Sequence, residues 1–251
     1  MAASLYTVVI PVFNGATIIA RTIDRVAWYF RTRGLAFELI VVNDGSSDDT
    51  WDVLKREVGQ RSNLVAVNLV KNYGQHAATQ CGLRVATGDY VITMDDDLQH
   101  DPIDIDKLIA KAALGHDVVF ARFERARRAW HRRPETVLAT ALARLVFGMP
   151  SDIKISSFRL LRRDVVNRML ALETSTPYVT GLALAAAKNP GNADVCTREG
   201  IRQSSSYSLS GLARLAAAVL LSTGVARQGS TSHRIGEVVR SASTHKPSRS
   251  D

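Results

Sequence analysis

Three consecutive carboxylates, Asp95, Asp96 and Asp97, are the residues of this sequence best suited to chemistry. They directly follow an apolar segment, residues 90–94, whose pattern predicts a buried strand. Carboxylates this close repel one another unless a cation lies between them, and their hard oxygen atoms suit Mg²⁺ or Mn²⁺. Because Mg²⁺ usually takes one or two protein carboxylates and completes its shell with water and phosphate oxygens, we predict a metal-bridged diphosphate here. Taken alone, the triplet is explained equally well as a solvated acidic turn that caps the next helix.

The segments before the triplet alternate between strand and helix patterns, which predicts the scaffold that positions it. We expect strands at residues 5–12, 37–43, 64–69 and 90–94, and helices at residues 17–31, 51–60 and 75–85. This β-α order specifies an α/β fold with a mostly parallel sheet and right-handed crossovers. Polar turns at the carboxyl ends of such strands share one edge, where α/β proteins bind their ligands.

The second half of the chain is less regular and strongly basic. Six arginines lie between residues 122 and 133. We predict helices at residues 103–113, 136–147, 163–172, 181–187 and 209–221, and strands at residues 117–121, 155–161 and 193–197. Residues 229–251 are rich in Ser, Arg, His and Thr, so we expect one domain over residues 1–228 and a disordered basic tail after it.

Composition limits the class of protein. A chain of 251 residues with 46% hydrophobic content can bury a full core. Cys81 and Cys196 have no metal-ligand spacing and argue against a disulfide framework, and no segment resembles a signal peptide or a membrane span, so we expect a cytoplasmic protein. The formal net charge of +8 predicts an anionic partner: nucleic acid, an anionic membrane surface or a phosphorylated substrate.

Four short motifs together point to a known family. They are Pro-Val-Phe-Asn at residues 11–14, Asn-Asp-Gly-Ser-Ser-Asp at residues 43–48, Lys-Asn-Tyr-Gly-Gln-His-Ala at residues 71–77, and the acidic triplet. The combination resembles the family 2 glycosyltransferases of GT-A fold, and within them the polyprenyl-phosphate glycosyltransferases, a dolichyl-phosphate mannose synthase-like group. The resemblance spans residues 5–222. In that group Asp-x-Asp-Leu-Gln is the metal and sugar-nucleotide motif, here Asp95, Asp97 and Gln99.

The resemblance implies an inverting transferase that takes a sugar from a nucleotide donor, a UDP-sugar, with Mg²⁺ or Mn²⁺ as cofactor. Residues 1–121 would bind the donor and residues 122–228 the acceptor. Asp44 would hydrogen-bond the nucleobase, with Gly45 allowing close backbone approach. At Gly15 the group often has Glu, which is a departure in this chain. The implied donor-binding residues are Pro11, Val12, Asn14, Asp44, Gly45, Lys71, Gly74, Gln75, Asp95 and Asp96.

For the acceptor, the resemblance implies a phosphate held by Arg122 and by Arg132 or Arg133. A planar guanidinium binds two phosphate oxygens at once, although a solvated basic loop is the plain alternative. Ser156, Ser157 and Arg159 resemble the group's Ser-Gly-Phe-Arg element, with Ser157 in place of Gly.

A later segment, residues 197–209, resembles a loop that folds over the donor diphosphate in this group. In it, Arg202 would stabilise the leaving nucleoside diphosphate. The histidines at positions 76, 100 and 116 are interpreted as loop or helix residues without a catalytic role.

The Glu-Asp pair that supplies the base in many other family 2 enzymes is missing. A phosphate monoester arrives ionised and needs no base, so its absence favours a polyprenyl-phosphate acceptor, although Asp152 or Asp164 could be an unrecognised base. A soluble hydroxyl acceptor, a nucleic-acid-binding module and an inactive sugar-nucleotide sensor remain the alternatives. We expect no nucleic acid as partner, because the carboxylates would repel it.

Within the cytoplasm we favour a peripheral location on the anionic inner face of the cytoplasmic membrane, with residues 209–221 at the interface, although this apolar helix could equally pack on the domain as core. The sugar, the nucleobase, the oligomeric state and any membrane-protein partner stay open.

Overall fold

The computed structural model describes residues 4–123, 153–172, 178–196 and 235–241. Its strands are β1 (Leu5–Val12), β2 (Ala36–Asn43), β3 (Leu64–Leu69), β4 (Tyr90–Thr93), β5 (Val118–Phe123), β6 (Arg159–Arg162), β7 (Pro190–Val195) and β8 (Ile235–Arg240). Its helices are α1 (Ile19–Arg33), α2 (Thr50–Gln60), α3 (Gln75–Val85), α4 (Ile105–Ala113), α5 (Arg163–Ala171) and α6 (Val179–Ala186), with a 3₁₀ turn at Pro102–Asp104 before α4.

All these strands form one mixed sheet in the order β7-β5-β6-β4-β1-β2-β3-β8. The first four strands are mutually parallel, as predicted, and β5 pairs parallel with β7. Strand β6 runs antiparallel between β4 and β5, and β8 runs antiparallel to β3. Consequently the carboxyl ends of β1 to β5 and β7 lie at one edge of the sheet, together with the amino ends of β6 and β8. We call this the carboxyl edge.

The core lies on both faces of the sheet because the central strands are buried on both sides, which requires the near-continuous apolar runs seen in the sequence. Helices α1, α2 and α4 cover one face, and α3, α5 and α6 cover the other. On α3, a Cβ added to Gly82 would lie 2.3 Å from the Val9 side chain. The lack of a side chain there lets α3 pack closely on β1.

Most predicted elements are found within two residues of their expected bounds. Helix α1 begins and ends two residues later than predicted, and Gly34 closes it with a left-handed φ of 63°. Two strand predictions were displaced: β6 begins only at Arg159 rather than residue 155, and β7 begins at Pro190 rather than residue 193. The predicted helices at residues 136–147 and 209–221 lie outside the described residues.

Most of residues 229–251 were expected to be disordered, but residues 235–240 within them are an ordered strand. These residues form β8, which pairs with β3 and covers an edge that would otherwise present unpaired backbone groups. This pairing joins residues far apart in sequence, so composition alone does not reveal it. Within the described ranges, no helix has both the length and the apolar character needed to cross a bilayer.

Candidate active site

Asp44 ties two loops of the carboxyl edge together. It follows β2, is 2% exposed, and its carboxylate accepts hydrogen bonds from the backbone N–H groups of Tyr73 and Gly74, both at 2.8 Å. Burial raises the pKa of Asp44, and the two hydrogen bonds oppose that rise. Two carboxylate oxygens offer about four acceptor sites, and these two hydrogen bonds occupy two of them.

Gly45 is required by the same loop contact. Its φ is 63°, and an added Cβ would lie 2.3 Å from the carbonyl carbon of Lys71 and 2.5 Å from the Asn72 nitrogen. The close contact at Gly45 in the structure is with the chain's own backbone, and the close approach to a nucleotide stays a prediction. The loop continues to Gly74, which is the N-cap of α3 and has a φ of 91°. Lys71 and Gln75 are both exposed at this edge.

The turn after β1 joins the same cluster. Asn14, with φ of 51°, donates its backbone N–H to Ser46 Oγ at 2.8 Å and accepts from the Ser47 N–H at 2.9 Å. A Cβ added to Gly15 would lie 2.4 Å from the Val12 side chain and 2.9 Å from Asp96 Oδ2. A side chain at position 15 would therefore require the Val12 and Asp96 side chains to shift. Pro11 and Val12 lie buried at the end of β1.

The acidic triplet follows β4 directly. Asp95 accepts hydrogen bonds from the Gln75 side-chain amide and from Ser157 Oγ, the latter at 2.7 Å. Asp97 Oδ1 accepts from the Gln99 backbone N–H at 2.9 Å. Asp96 lies beside Gly15 on the side of the first turn. The three carboxylates therefore diverge, and all three are half-buried.

The donor set fits a hard divalent cation only if a ligand completes it. In residues 4–123 and the other described ranges, no three His, Cys, Asp or Glu side chains converge as a metal site. Two carboxylates with diphosphate and water oxygens are nevertheless an ordinary Mg²⁺ environment. Asp95 and Asp97 match this environment in residue type.

His100 holds the backbone of the acidic triplet in place, a role that was not predicted from the sequence. Its ring is 6% exposed and stacks between Phe123 and Phe158, with centroid distances of 5.5 and 4.9 Å. Burial lowers its pKa, so the imidazole is neutral, and Nδ1 accepts the Asp95 backbone N–H at 3.2 Å. The acidic turn is thus held by a packed aromatic stack.

A pocket with about 350 Å³ of empty space, part of it open solvent, lies beside Asp95. Arg159 is 2% exposed and donates from Nε to Thr93 Oγ1 at 3.1 Å and from Nη1 to Thr180 Oγ1 at 3.0 Å. The residues that line this pocket are Pro11, Gln75, His76, Thr79, Thr93, Met94, Asp95, Ser157, Arg159 and Thr180. Arg159 is therefore a buried part of the pocket wall, and the two threonine hydroxyls hold it in place.

His76 is the second basic side chain in this pocket. Burial, with the charge of Arg159, lowers its pKa to about 4, so it is neutral near pH 7. Its ring meets Tyr178 edge to face, with centroids 5.1 Å apart. The sequence signal that could have identified His76 is its position at the start of a predicted helix, two residues after Gly74.

The predicted acceptor residues are only partly described. Arg122, at the end of β5, pairs with Asp194 of β7 through both carboxylate oxygens, with Nη2 to Oδ2 at 2.8 Å, and holds the pKa of Asp194 below its usual range. Ser156 Oγ donates to the Phe158 carbonyl oxygen at 2.7 Å. Arg132, Arg133, Arg202 and Asp152 lie outside the described residues.

Asp164 is badly placed to serve as a base. It pairs with Arg162 and Arg168, which hold its pKa below the usual range. Because β6 is antiparallel, Asp164 follows the end of β6 at the edge opposite the triplet. The structure thus argues against this alternative.

Solved structures share this architecture. Glucosyl-3-phosphoglycerate synthase from Mycobacterium tuberculosis, solved with Mn²⁺, UDP and glucosyl-3-phosphoglycerate, aligns with a TM-score of 0.63 and 22% identity over 87% of this chain and 79% of that chain. TarS (residues 1–349) from S. aureus, in complex with UDP-GlcNAc, aligns with a TM-score of 0.54 and 20% identity over 88% of this chain and 68% of its own. The fold is therefore the GT-A glycosyltransferase fold.

Sequence comparison then defines the family. Residues 7–170 match the family model "Glycosyl transferase family 2", and the chain belongs to that family. An undecaprenyl-phosphate 4-deoxy-4-formamido-L-arabinose transferase from Pseudomonas aeruginosa (strain LESB58) is 36% identical over 81% of this chain and 60% of that protein. A transferase of the same name from Proteus mirabilis is 32% identical over 80% of this chain and 62% of that protein. The chain thus spans about three fifths of the length of these relatives. The family resemblance inferred from the motifs is confirmed.

Proposed function

We propose that this chain transfers a sugar from a UDP-sugar to a polyprenyl phosphate of the undecaprenyl type, with inversion. The observation that carries the proposal is the meeting of four motifs at the carboxyl edge, where Asp44, the loop at residues 71–75 and Asp95 are joined by direct hydrogen bonds. The names of the relatives support the acceptor class.

On the donor side, Asp44, Gly45, Pro11, Val12 and Asn14 would surround the base. Lys71, exposed above Tyr73, would face the phosphates. Asp95, Asp97 and Gln99 would hold Mg²⁺ or Mn²⁺, as the Mn²⁺ and Mg²⁺ complexes of the fold neighbour with UDP suggest. When bound, that cation would neutralise the diphosphate and help it leave.

On the acceptor side, catalysis would depend on positioning rather than on a base, because a phosphate monoester is already ionised. Arg122 with Arg132 or Arg133 would bind the phosphate, which must then compete with Asp194 for Arg122. Arg202 would cover the leaving group. The strands that flank Arg202 in the chain support this role, since β7 ends and β8 begins at the carboxyl edge.

We place this activity at the surface of an anionic membrane, where the polyprenyl phosphate lies. The net charge of +8 favours that surface electrostatically. The proposal includes no nucleic-acid partner.

The test measures UDP release with Mn²⁺ from a donor panel with and without undecaprenyl phosphate. The panel holds UDP-glucose, UDP-N-acetylglucosamine and UDP-4-deoxy-4-formamido-L-arabinose. We expect the lipid to stimulate release from one donor at least about tenfold, and Asp97→Ala to reduce it by about 10²–10³-fold, the scale of losing a major electrostatic contact in the transition state.

Asp52→Ala is the matched control because Asp52 is an exposed carboxylate of α2 paired only locally with Lys55. It should leave the rate unchanged. Release that is metal-dependent but indifferent to the lipid would retain the donor site and refute the lipid acceptor, and a soluble hydroxyl acceptor would replace it.

A further inference from the structure

We propose that His76 is a specificity-determining residue that hydrogen-bonds one small polar substituent of the donor sugar in the pocket beside Asp95. This inference rests on the proposed function, since it assumes a sugar nucleotide at the carboxyl edge. It assigns a role to a residue that the motifs themselves leave without one.

The first support is the position of the pocket. Asp95 and Gln75 form part of its lining, so it adjoins the place where the donor diphosphate would be bound. A sugar attached to that diphosphate would lie within reach of the pocket.

The second support is size. The space inside admits only about one or two water-sized groups, by the usual requirement for a hydration site. A whole hexose would not fit, whereas a hydroxyl or a small amide substituent would. Any water that such a group displaces makes hydrogen bonds that the group must replace to gain affinity.

The third support is the unsatisfied bonding capacity of His76. Its ring nitrogens make no hydrogen bond to any residue in the described ranges, although the ring is half-buried against Tyr178. Buried polar groups nearly always have a partner in the protein or in ordered water, and a bound ligand would supply one here. A neutral imidazole offers one donor and one acceptor, which matches a sugar hydroxyl.

Arg159 explains why His76 is available for this role. Its guanidinium is fixed by Thr93 and Thr180. Burial is the main cause of the lowered pKa of His76, and the charge of Arg159 lowers it further, so the imidazole stays neutral. The Thr93 hydroxyl also donates to the Ser157 carbonyl oxygen at 2.6 Å, and Ser157 holds Asp95. The pocket and the acidic turn are therefore built as one unit.

The experiment measures binding rather than turnover, by calorimetry with Mn²⁺, for UDP, UDP-glucose, UDP-galactose, UDP-xylose and UDP-4-deoxy-4-formamido-L-arabinose. Wild type should bind one UDP-sugar more tightly than the others. His76→Leu should lose about tenfold or more for that donor, the cost of one unmade buried hydrogen bond, and should bind UDP within about twofold of wild type. His76→Gln should recover part of the loss.

His116→Leu is the control, because His116 lies at the far edge and contacts the Asn189 carbonyl oxygen. Equal weakening of UDP and all UDP-sugars in His76→Leu, or unchanged discrimination, would overturn the inference while leaving the proposed function intact. Failure of wild type to bind UDP at all would refute both.

Discussion

Asp44 and Gly45 act as a pair at the scale of single residues. The Asp44 carboxylate receives two backbone N–H groups of the loop after β3, and Gly45 leaves room for that loop's backbone. Turn chemistry explains an Asp-Gly sequence at this point. The contact between the two loops shows that these residues also hold the neighbouring motif in place.

We expect Gly45→Ala to destabilise the protein by about 2–4 kcal/mol, because the added Cβ would overlap Lys71 and the left-handed φ is unfavourable for Ala. Urea unfolding followed by circular dichroism measures the change. Gly59→Ala is the matched control: it lies in α2 with nothing near its Cβ, and it should be neutral or stabilising by up to about 1 kcal/mol. Equal stability of the two variants would contradict the role of Gly45.

At the scale of elements, β8 completes the sheet. It pairs with β3 from Val65 to Leu69, with an irregularity between Asn68 and Leu69. Val239 packs against the core on the α1 side. A segment that composition marks as a polar tail therefore contributes backbone pairing and some apolar contact.

Ending the chain before residue 235 should lower the free energy of unfolding by about 1–3 kcal/mol, since it exposes the β3 edge and removes the β8 hydrogen bonds. For a chain of this size the melting temperature should fall by roughly 2–4 °C per kcal/mol. Ending it after Ser241 is the control, because β8 is then retained. If both truncations melt together with the full chain, β8 has no stabilising role.

At the scale of the molecule, the mixed sheet collects the motifs at one edge. Turns that are far apart in sequence become neighbours because β1 to β4 are parallel and adjacent. A ligand bound across these turns would contact several strands at once. Its binding should therefore stabilise the whole fold and not one loop.

We expect UDP with Mn²⁺ at about 100 times its dissociation constant to stabilise the protein by about 2.7 kcal/mol, which thermal melting detects as a rise of several degrees. UDP with excess EDTA should give little or no rise if the metal joins the carboxylates to the diphosphate. Asp97→Asn should abolish the part of the rise in melting temperature that depends on Mn²⁺. A full shift in EDTA would refute the metal role of Asp95 and Asp97.

The sequence by itself determined the α/β order, the strand ends that carry the motifs and the family. These features depend on local periodicity and on short motifs, which the chain expresses within a few residues. Strands β1 and β3 and helix α3 were predicted at their observed bounds for this reason.

Only the tertiary structure decided which side chains meet. The motif predicts that Arg159 binds the acceptor substrate, yet its side chain is buried beside Thr93. His76 and His100 appear incidental in sequence, yet one lines the pocket and the other holds the Asp95 backbone. These relations depend on strand order and long-range packing, which no local pattern encodes.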